Sequence, residues 1–205
     1  MNAQMMAQAR QRADFETIAG WIHSGAKALD LGCGDGSLLR YLKETRDVRG
    51  YGVEIDDEKI LACTKNGVNV VQTALESGLS GFESNSFDYV ILSQTLQSMK
   101  DTERIMQEML RVGRQAIVTF PNFGFWQHRL QVIAGHMPVS RDLPYQWYDT
   151  PNIHLCTLKD FETFCAKLNV RILERSVIHR GHQVSILPNL FGSLAVYRVE
   201  KLNLV

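Results

Sequence analysis

The sequence has no excess of either charge: 22 Lys and Arg are matched by 22 Asp and Glu. That balance argues against a broad basic surface tracking a nucleic-acid backbone and leaves room only for a local patch. Long apolar runs are also lacking, since none approaches the ~18 residues that mark a candidate membrane span. The segment Met1 to Arg12 is rich in Gln and Ala and has no apolar core of a secretory leader. Cysteine is sparse. Cys33, Cys63, Cys156 and Cys165 stand far apart with no C-x-x-C pair, so neither a disulfide framework nor a zinc site is expected. They read as reduced, mostly buried thiols of a cytoplasmic protein, and no nucleic-acid or membrane partner is expected. Internal repeats and low-complexity linkers are missing as well.

What is present suits a soluble globular chain. Its 205 residues are 45% hydrophobic and 21% charged, enough to bury a core without staples, and the whole of 1–205 reads as one domain. Phe15, Ile18, Ala19 and Ile22 recur at helical spacing behind Asp14, a candidate N-cap. Strand Lys27–Leu31 then runs into a glycine turn and a helix from Ser37 carrying Leu38, Leu39 and Leu42. Strand Tyr51–Ile55 leads to a helix opening at Asp57, expected to bury Ile60 and Leu61, and strand Asn69–Gln72 follows. Strand Phe87–Leu92 precedes a helix from Asp101 with Ile105, Met106, Met109 and Leu110 on one face, and strand Gln115–Phe120 ends at Pro121. This alternation predicts an α/β fold: a mostly parallel, twisted, Rossmann-like sheet with helices on both faces.

Proline is scarce but concentrated. Four of the five (Pro121, Pro138, Pro144, Pro151) fall in an aromatic insertion at about 121–157, which also holds Trp126 and Trp147 and one expected helix with Leu130, Ile133 and Ala134. Loops of this length are uncommon and often functional. Thr157 and Asp160 have capping-box spacing before a helix with Phe161, Phe164, Cys165 and Leu168. Strands Val170–Val177 and Leu194–Glu200 are expected to close the sheet edge.

The stretch Asp30-Leu31-Gly32-Cys33-Gly34-Asp35-Gly36 carries the chemistry. A strand ending in close-set glycines turns sharply and admits a ligand against bare backbone, at the strand end where such sheets bind ligands. A dinucleotide loop has the spacing G-x-G-x-x-G and cradles a pyrophosphate. Here the glycines run G-x-G-x-G, and Asp30, two residues before the first, would disfavour a phosphate and suit an ammonium. S-adenosylmethionine carries an amino group and a sulfonium with no phosphate. Glu54, about 20 residues on, stands where an acid accepts ribose hydroxyls; either cofactor would use it, so only the pair Asp30 and Glu54 discriminates.

The ordered phrases LDLGCGDG, YGVEID, FDYVILSQTLQ and AIVTFPN resemble the class I methyltransferase superfamily from about Ala13 to Asn122. More narrowly, RADFETIAGWI, FPNFGFW and above all LPYQWYDTPNIHLCTLKDFE resemble the MetW family of methionine biosynthesis proteins across nearly the whole chain. The resemblance implies a pocket for S-adenosylmethionine or S-adenosylhomocysteine. In it Gly32, Cys33 and Gly34 contact the methionine moiety, Asp30 its amino group and Glu54 the ribose. Ile55 packs on adenine, Ser93 and Gln94 lie beside the sulfonium, and Leu75 is a further cofactor-binding residue. One departure is Ala74, where the superfamily usually places an Asp for the adenine amino group; Gln72, Glu76 or backbone would have to substitute.

Methyl transfer needs alignment more than a base. His128, His136, Tyr148, Asp149 and His154 are candidates only by position, and none is nominated as catalytic. Trp126, Tyr145, Trp147 and Tyr148, with Arg129 and Arg141 nearby, either form a secondary core or a lid or docking surface. Two functions follow. The family resemblance implies a partner subunit acting with or regulating a homoserine O-acyltransferase; the alternative is an active methyltransferase on a small-molecule or protein acceptor.

Overall fold

The computed structural model describes residues 13–202. Five strands, β1 (Lys27–Leu31), β2 (Arg49–Glu54), β3 (Asn69–Gln72), β4 (Phe87–Ser93) and β5 (Gly113–Pro121), pair in parallel in the order β3-β2-β1-β4-β5. The remaining strands, β6 (Val170–His179), β7 (His182–Gln183) and β8 (Leu194–Lys201), extend this sheet as β5-β8-β6-β7. β8 is antiparallel to both β5 and β6, so β6 runs with the parallel set. The order reverses between β1 and β4, which opens a crevice at their carboxyl ends.

Both faces are covered, and alternate residues sort accordingly. Leu29, Leu31, Val90, Leu92 and Val118 pack with α4 (Thr102–Val112) and α6 (Leu158–Lys167). Ala28, Tyr89, Ile91 and Ile117 face α1 (residues 13–21) and α2 (Ser37–Arg46) through Ile18, Ile22, Leu38 and Leu42. Local caps set the helix starts. Asp56 accepts from the backbone N–H groups of Glu58 and Lys59 to open α3 (Asp57–Lys65), Asp101 caps α4, and Thr157 with Asp160 forms a reciprocal capping box on α6.

Several expectations are corrected. In α3 only Cys63 is buried; Ile60 is half-covered and Leu61 is 62% exposed, because α3 lies over the thin β2–β3 edge and has one narrow face to bury. In α5 (Trp126–Ile133) the buried residue is His128, while Leu130 and Ile133 face solvent. Asp14 is itself helical and buried, so it is not the N-cap of α1. The short β7 and α7 (Pro188–Phe191) were not expected. No helix among the described residues is long and apolar enough to cross a membrane.

Candidate cofactor-binding site

The site begins where β1 leaves the sheet. The N–H groups of Gly32 and Cys33 both donate to the Val53 carbonyl of β2, at 2.8 and 3.0 Å, so the turn stays anchored to the neighbouring strand end. Gly32, Gly34 and Gly36 all have positive φ, a conformation costly for any residue with a Cβ. At Gly34 an added Cβ would meet nothing within 4 Å, so the surface beside the backbone is open. Gly52, on β2, has the opposite role: a Cβ there would fall 2.4 Å from Cys33 Sγ. Cys33 therefore seats its side chain inward, against Leu39 and Cys63, with the two sulfurs 3.6 Å apart as free thiols. Cys63 donates to the Gly34 carbonyl at 3.1 Å, fixing the loop from behind.

Glu54 closes the other side. It is buried, and its Oε2 accepts from Gly34 N–H at 2.9 Å while Oε1 accepts from Ile55 and Asp56 N–H at 2.9 and 3.1 Å. One carboxylate thus ties the glycine loop to the end of β2. Asp30 is 2% exposed, and its Oδ1 has no hydrogen-bond partner. Burial, and secondarily the negative charge of Glu54, pushes its carboxyl up to about 8. At the start of α2 the Ser37 N–H is taken by Asp35 Oδ1 at 3.0 Å. The carboxyl groups of Asp30, Asp35 and Glu54 thus surround the loop, a setting that disfavours a pyrophosphate.

The far wall comes from β4. Gln94 adopts a left-handed conformation (φ 51), held by its N–H donating to Thr119 Oγ1 at 2.9 Å; Ser93 Oγ lies 3.2 Å from the same hydroxyl. Thr95 approaches Gly32 so closely that a Cβ on the glycine would sit 3.1 Å from its Oγ1. The structure therefore brings Asp30, Gly32, Gly34, Glu54, Ser93 and Gln94 to one end of the sheet, with Cys33 supporting from beneath. Ile55 is 62% exposed beside Glu54, and Leu75 is partly buried against the main core in a 3₁₀ turn (Leu75–Ser77).

Ala74 has no side-chain acceptor, and the bonds made by the side chains expected to replace it do not use Gln72 Oε1 or Glu76 Oε2. Gln72 Nε2 donates to Asp57 at 2.6 Å, and Glu76 Oε1 accepts from Lys100 N–H at 2.9 Å. Sequence reasoning missed Gly52, Cys63 and Thr119. A glycine inside a strand marks close backbone approach, so Gly52 was findable; the other two were not. Of the histidines, His128 is fully buried, 2.8 Å from Ser140 Oγ, and desolvation lowers its pKa, so it holds the insertion in neutral form. Trp126, Tyr145, Trp147 and Tyr148 are exposed, Trp147 by 71%, and so they do not make up a secondary core. Among the described residues no cluster of His, Cys, Asp or Glu is arranged to hold a metal.

The strand order, with antiparallel β8 between β5 and β6, defines a Rossmann-like class I methyltransferase fold. A S-adenosylmethionine-dependent methyltransferase from Thermotoga maritima matches it with a TM-score of 0.70 at 17% identity, covering 96% of this chain and 91% of that one. One from Aquifex aeolicus matches with a TM-score of 0.63 at 12% identity, covering 97% and 98%. These likenesses establish the fold. The family model "Methionine biosynthesis protein MetW" matches residues 12–199, and the chain belongs to that family. A "Bifunctional methionine biosynthesis protein MetXA/MetW" of Rhodopirellula baltica is 38% identical over 204 residues, covering 93% of this chain but 33% of that protein. A demethylmenaquinone methyltransferase of Shouchella clausii is 27% identical over 146 residues, 62% of each chain. The chain thus spans less than two thirds of either relative's length.

Proposed function

We propose that this methionine biosynthesis protein binds S-adenosylmethionine or S-adenosylhomocysteine at the glycine loop and acts with, or regulates, a homoserine O-acyltransferase. Asp30 carries the cofactor reading. A buried carboxyl with an orphaned oxygen is costly unless a ligand completes it, and an ammonium group supplies both the donor and the opposite charge. Gly34 leaves open space beside its backbone, Glu54 is pre-oriented to offer its remaining lone pair on Oε2 to a ribose hydroxyl, and exposed Ile55 gives adenine an apolar surface. The bound cofactor would supply a methyl group on a sulfonium; the chain's part is to hold and align it. Calorimetry with S-adenosylmethionine, S-adenosylhomocysteine and NAD in parallel tests this. Binding of the two adenosyl ligands and not NAD is expected, and the reverse would overturn the assignment.

The adenine end should be improvable. Ala74→Asp adds a charged acceptor where none stands, and it should tighten cofactor binding about tenfold, or ~1.4 kcal/mol. A neutral or weaker titration would mean that the adenine is held differently.

The partner reading draws on the Rhodopirellula relative, whose name joins MetXA and MetW in one chain, and on exposed aromatics in the insertion. Interfaces are anchored by a few aromatic or Arg side chains. Trp147→Ala combined with Arg141→Ala should weaken co-purification with the acyltransferase while leaving the melting temperature nearly unchanged, because Trp147 is 71% exposed. A folded double variant that binds fully would move the docking surface elsewhere. If the partner's affinity changes with the cofactor, the cofactor's affinity must change equally with the partner. The second reading, an active methyltransferase, draws on the demethylmenaquinone methyltransferase relatives; transfer of a labelled methyl group to an acceptor without the acyltransferase would favour it.

A further inference from the structure

Beside the cofactor loop, a separate cavity of about 230 Å³ lies between the carboxyl ends of β4 and β5, residues 154–156 and helix α6. Its walls include Leu96, Phe120, Leu143, Leu155, Phe161 and Phe164, and none of the residues assigned to the cofactor lines it. Leu96, Phe120, Leu143 and Phe161 are buried, so the interior wall is part of the packed molecule. The outer wall is pinned too. Ile153 and His154 both donate their N–H to the Gln97 carbonyl, at 2.8 and 2.9 Å, and Phe123 N–H donates to the Cys156 carbonyl at 3.0 Å. The cavity is pre-formed by these bonds, without any segment having to close over it.

Its chemistry is narrow. No Lys or Arg is among the residues lining it, and the one basic side chain there, His154, has its Nε2 3.4 Å from the Lys100 carbonyl. The one lining carboxylate, Asp160, is committed to the capping box, accepting from Thr157 N–H at 2.9 Å and Thr157 Oγ1 at 2.8 Å. The Cys156 thiol is pushed up to about 12 by burial and stays neutral. Gln97 and Thr102 are the remaining polar residues of the lining, and Gln97 Nε2 donates to the Gln94 carbonyl at 2.7 Å. An apolar cavity of ~150 Å³ stays dry and takes up benzene. At about 230 Å³ this one has room for a larger, bicyclic ring.

We propose that this cavity is a second small-molecule site, taking a neutral, mostly apolar ligand of about bicyclic-aromatic size. The proposal does not depend on the cofactor reading.

Indole is a suitable probe, with toluene and indole-3-acetate as controls for size and for charge. In ligand-detected NMR the full chain should bind indole saturably, toluene more weakly, and indole-3-acetate at least tenfold more weakly than indole. Leu155→Trp, at a position 43% exposed, should block the cavity and weaken indole binding at least tenfold while leaving S-adenosylhomocysteine titrations unchanged. Intermolecular NOEs from indole to the methyl groups of Leu143 and Leu155 in the unaltered protein decide the matter should that variant fail to fold. No saturable indole binding at millimolar concentration, NOEs to other residues, or equal binding of indole-3-acetate would each overturn the proposal.

Discussion

Glu54→Gln will weaken S-adenosylhomocysteine binding by about tenfold to a hundredfold, or roughly 1.5–3 kcal/mol, the usual cost of losing hydrogen bonds to a charged acceptor. The structure makes this substitution more damaging than a ribose contact alone would suggest. Both carboxylate oxygens already accept backbone N–H groups, from Gly34 on one side and from Ile55 and Asp56 on the other. A glutamine has one acceptor oxygen and must turn its NH₂ toward one of those N–H groups. Either the loop or the end of β2 then loses its tether, and the buried donor is left unpaired. The melting temperature should fall together with the affinity, and isothermal titration beside a thermal melt measures both. Unchanged affinity with a lowered melting temperature would show that Glu54 only braces the loop and does not hold the ribose.

Asp30→Asn will flatten the pH dependence of apo-protein stability between about pH 4 and pH 8. In the folded protein the Asp30 carboxyl is raised from 3.8 to about 8, first by burial and then by Glu54. Across that window the folded state keeps a proton that the unfolded chain releases. Stability therefore falls as pH rises from about 4 to about 8 and levels off above it. Asp14, raised to about 6 by burial, adds a slope of the same sign over the lower part of the window. His128, lowered by burial, adds one of opposite sign below its ordinary 6.5. Only the difference between the wild-type and Asp30→Asn profiles isolates Asp30. The same carboxyl links binding to protons: an ammonium ligand requires the ionised form, so affinity should rise by up to tenfold per pH unit between about pH 6 and 7.5 with release of a proton. Calorimetry in buffers of different ionisation enthalpy reads that proton directly. Binding without proton release, or an Asp30→Asn variant of full affinity, would remove Asp30 from the amino-group role.

Much of the fold was legible because it rests on short-range chemistry. Alternating strand and helix patterns located β1 and β3 with their observed bounds and β2, β4 and β5 to within two residues, and the Thr157–Asp160 spacing became an actual capping box. The apolar positions that end up covered were less legible. Helical spacing in α3 and α5 marks Ile60, Leu61, Leu130 and Ile133 as a face, but burial depends on whether another element lies against that face. At the thin edge of the sheet the face is covered only in part, and in the insertion Leu130 and Ile133 meet solvent. Those positions carry the same letters as core residues, and the difference lies wholly in their neighbours.

The site divides the same way. By itself the sequence determined the glycine spacing, the acid two residues before it and the second acid 20 residues on, because backbone turns and strand ends obey local rules. It also carried the resemblance to a methionine biosynthesis family. Only the tertiary structure decided that the Glu54 carboxylate is spent on three backbone N–H groups and that Asp30 is buried with an orphaned oxygen. It also decided that Cys33 and Cys63, 30 residues apart, meet behind the loop. Those facts depend on β1 and β2 lying side by side in register and on α3 folding back over them. Burial and pairing are properties of contacts across the chain, and no local pattern encodes them.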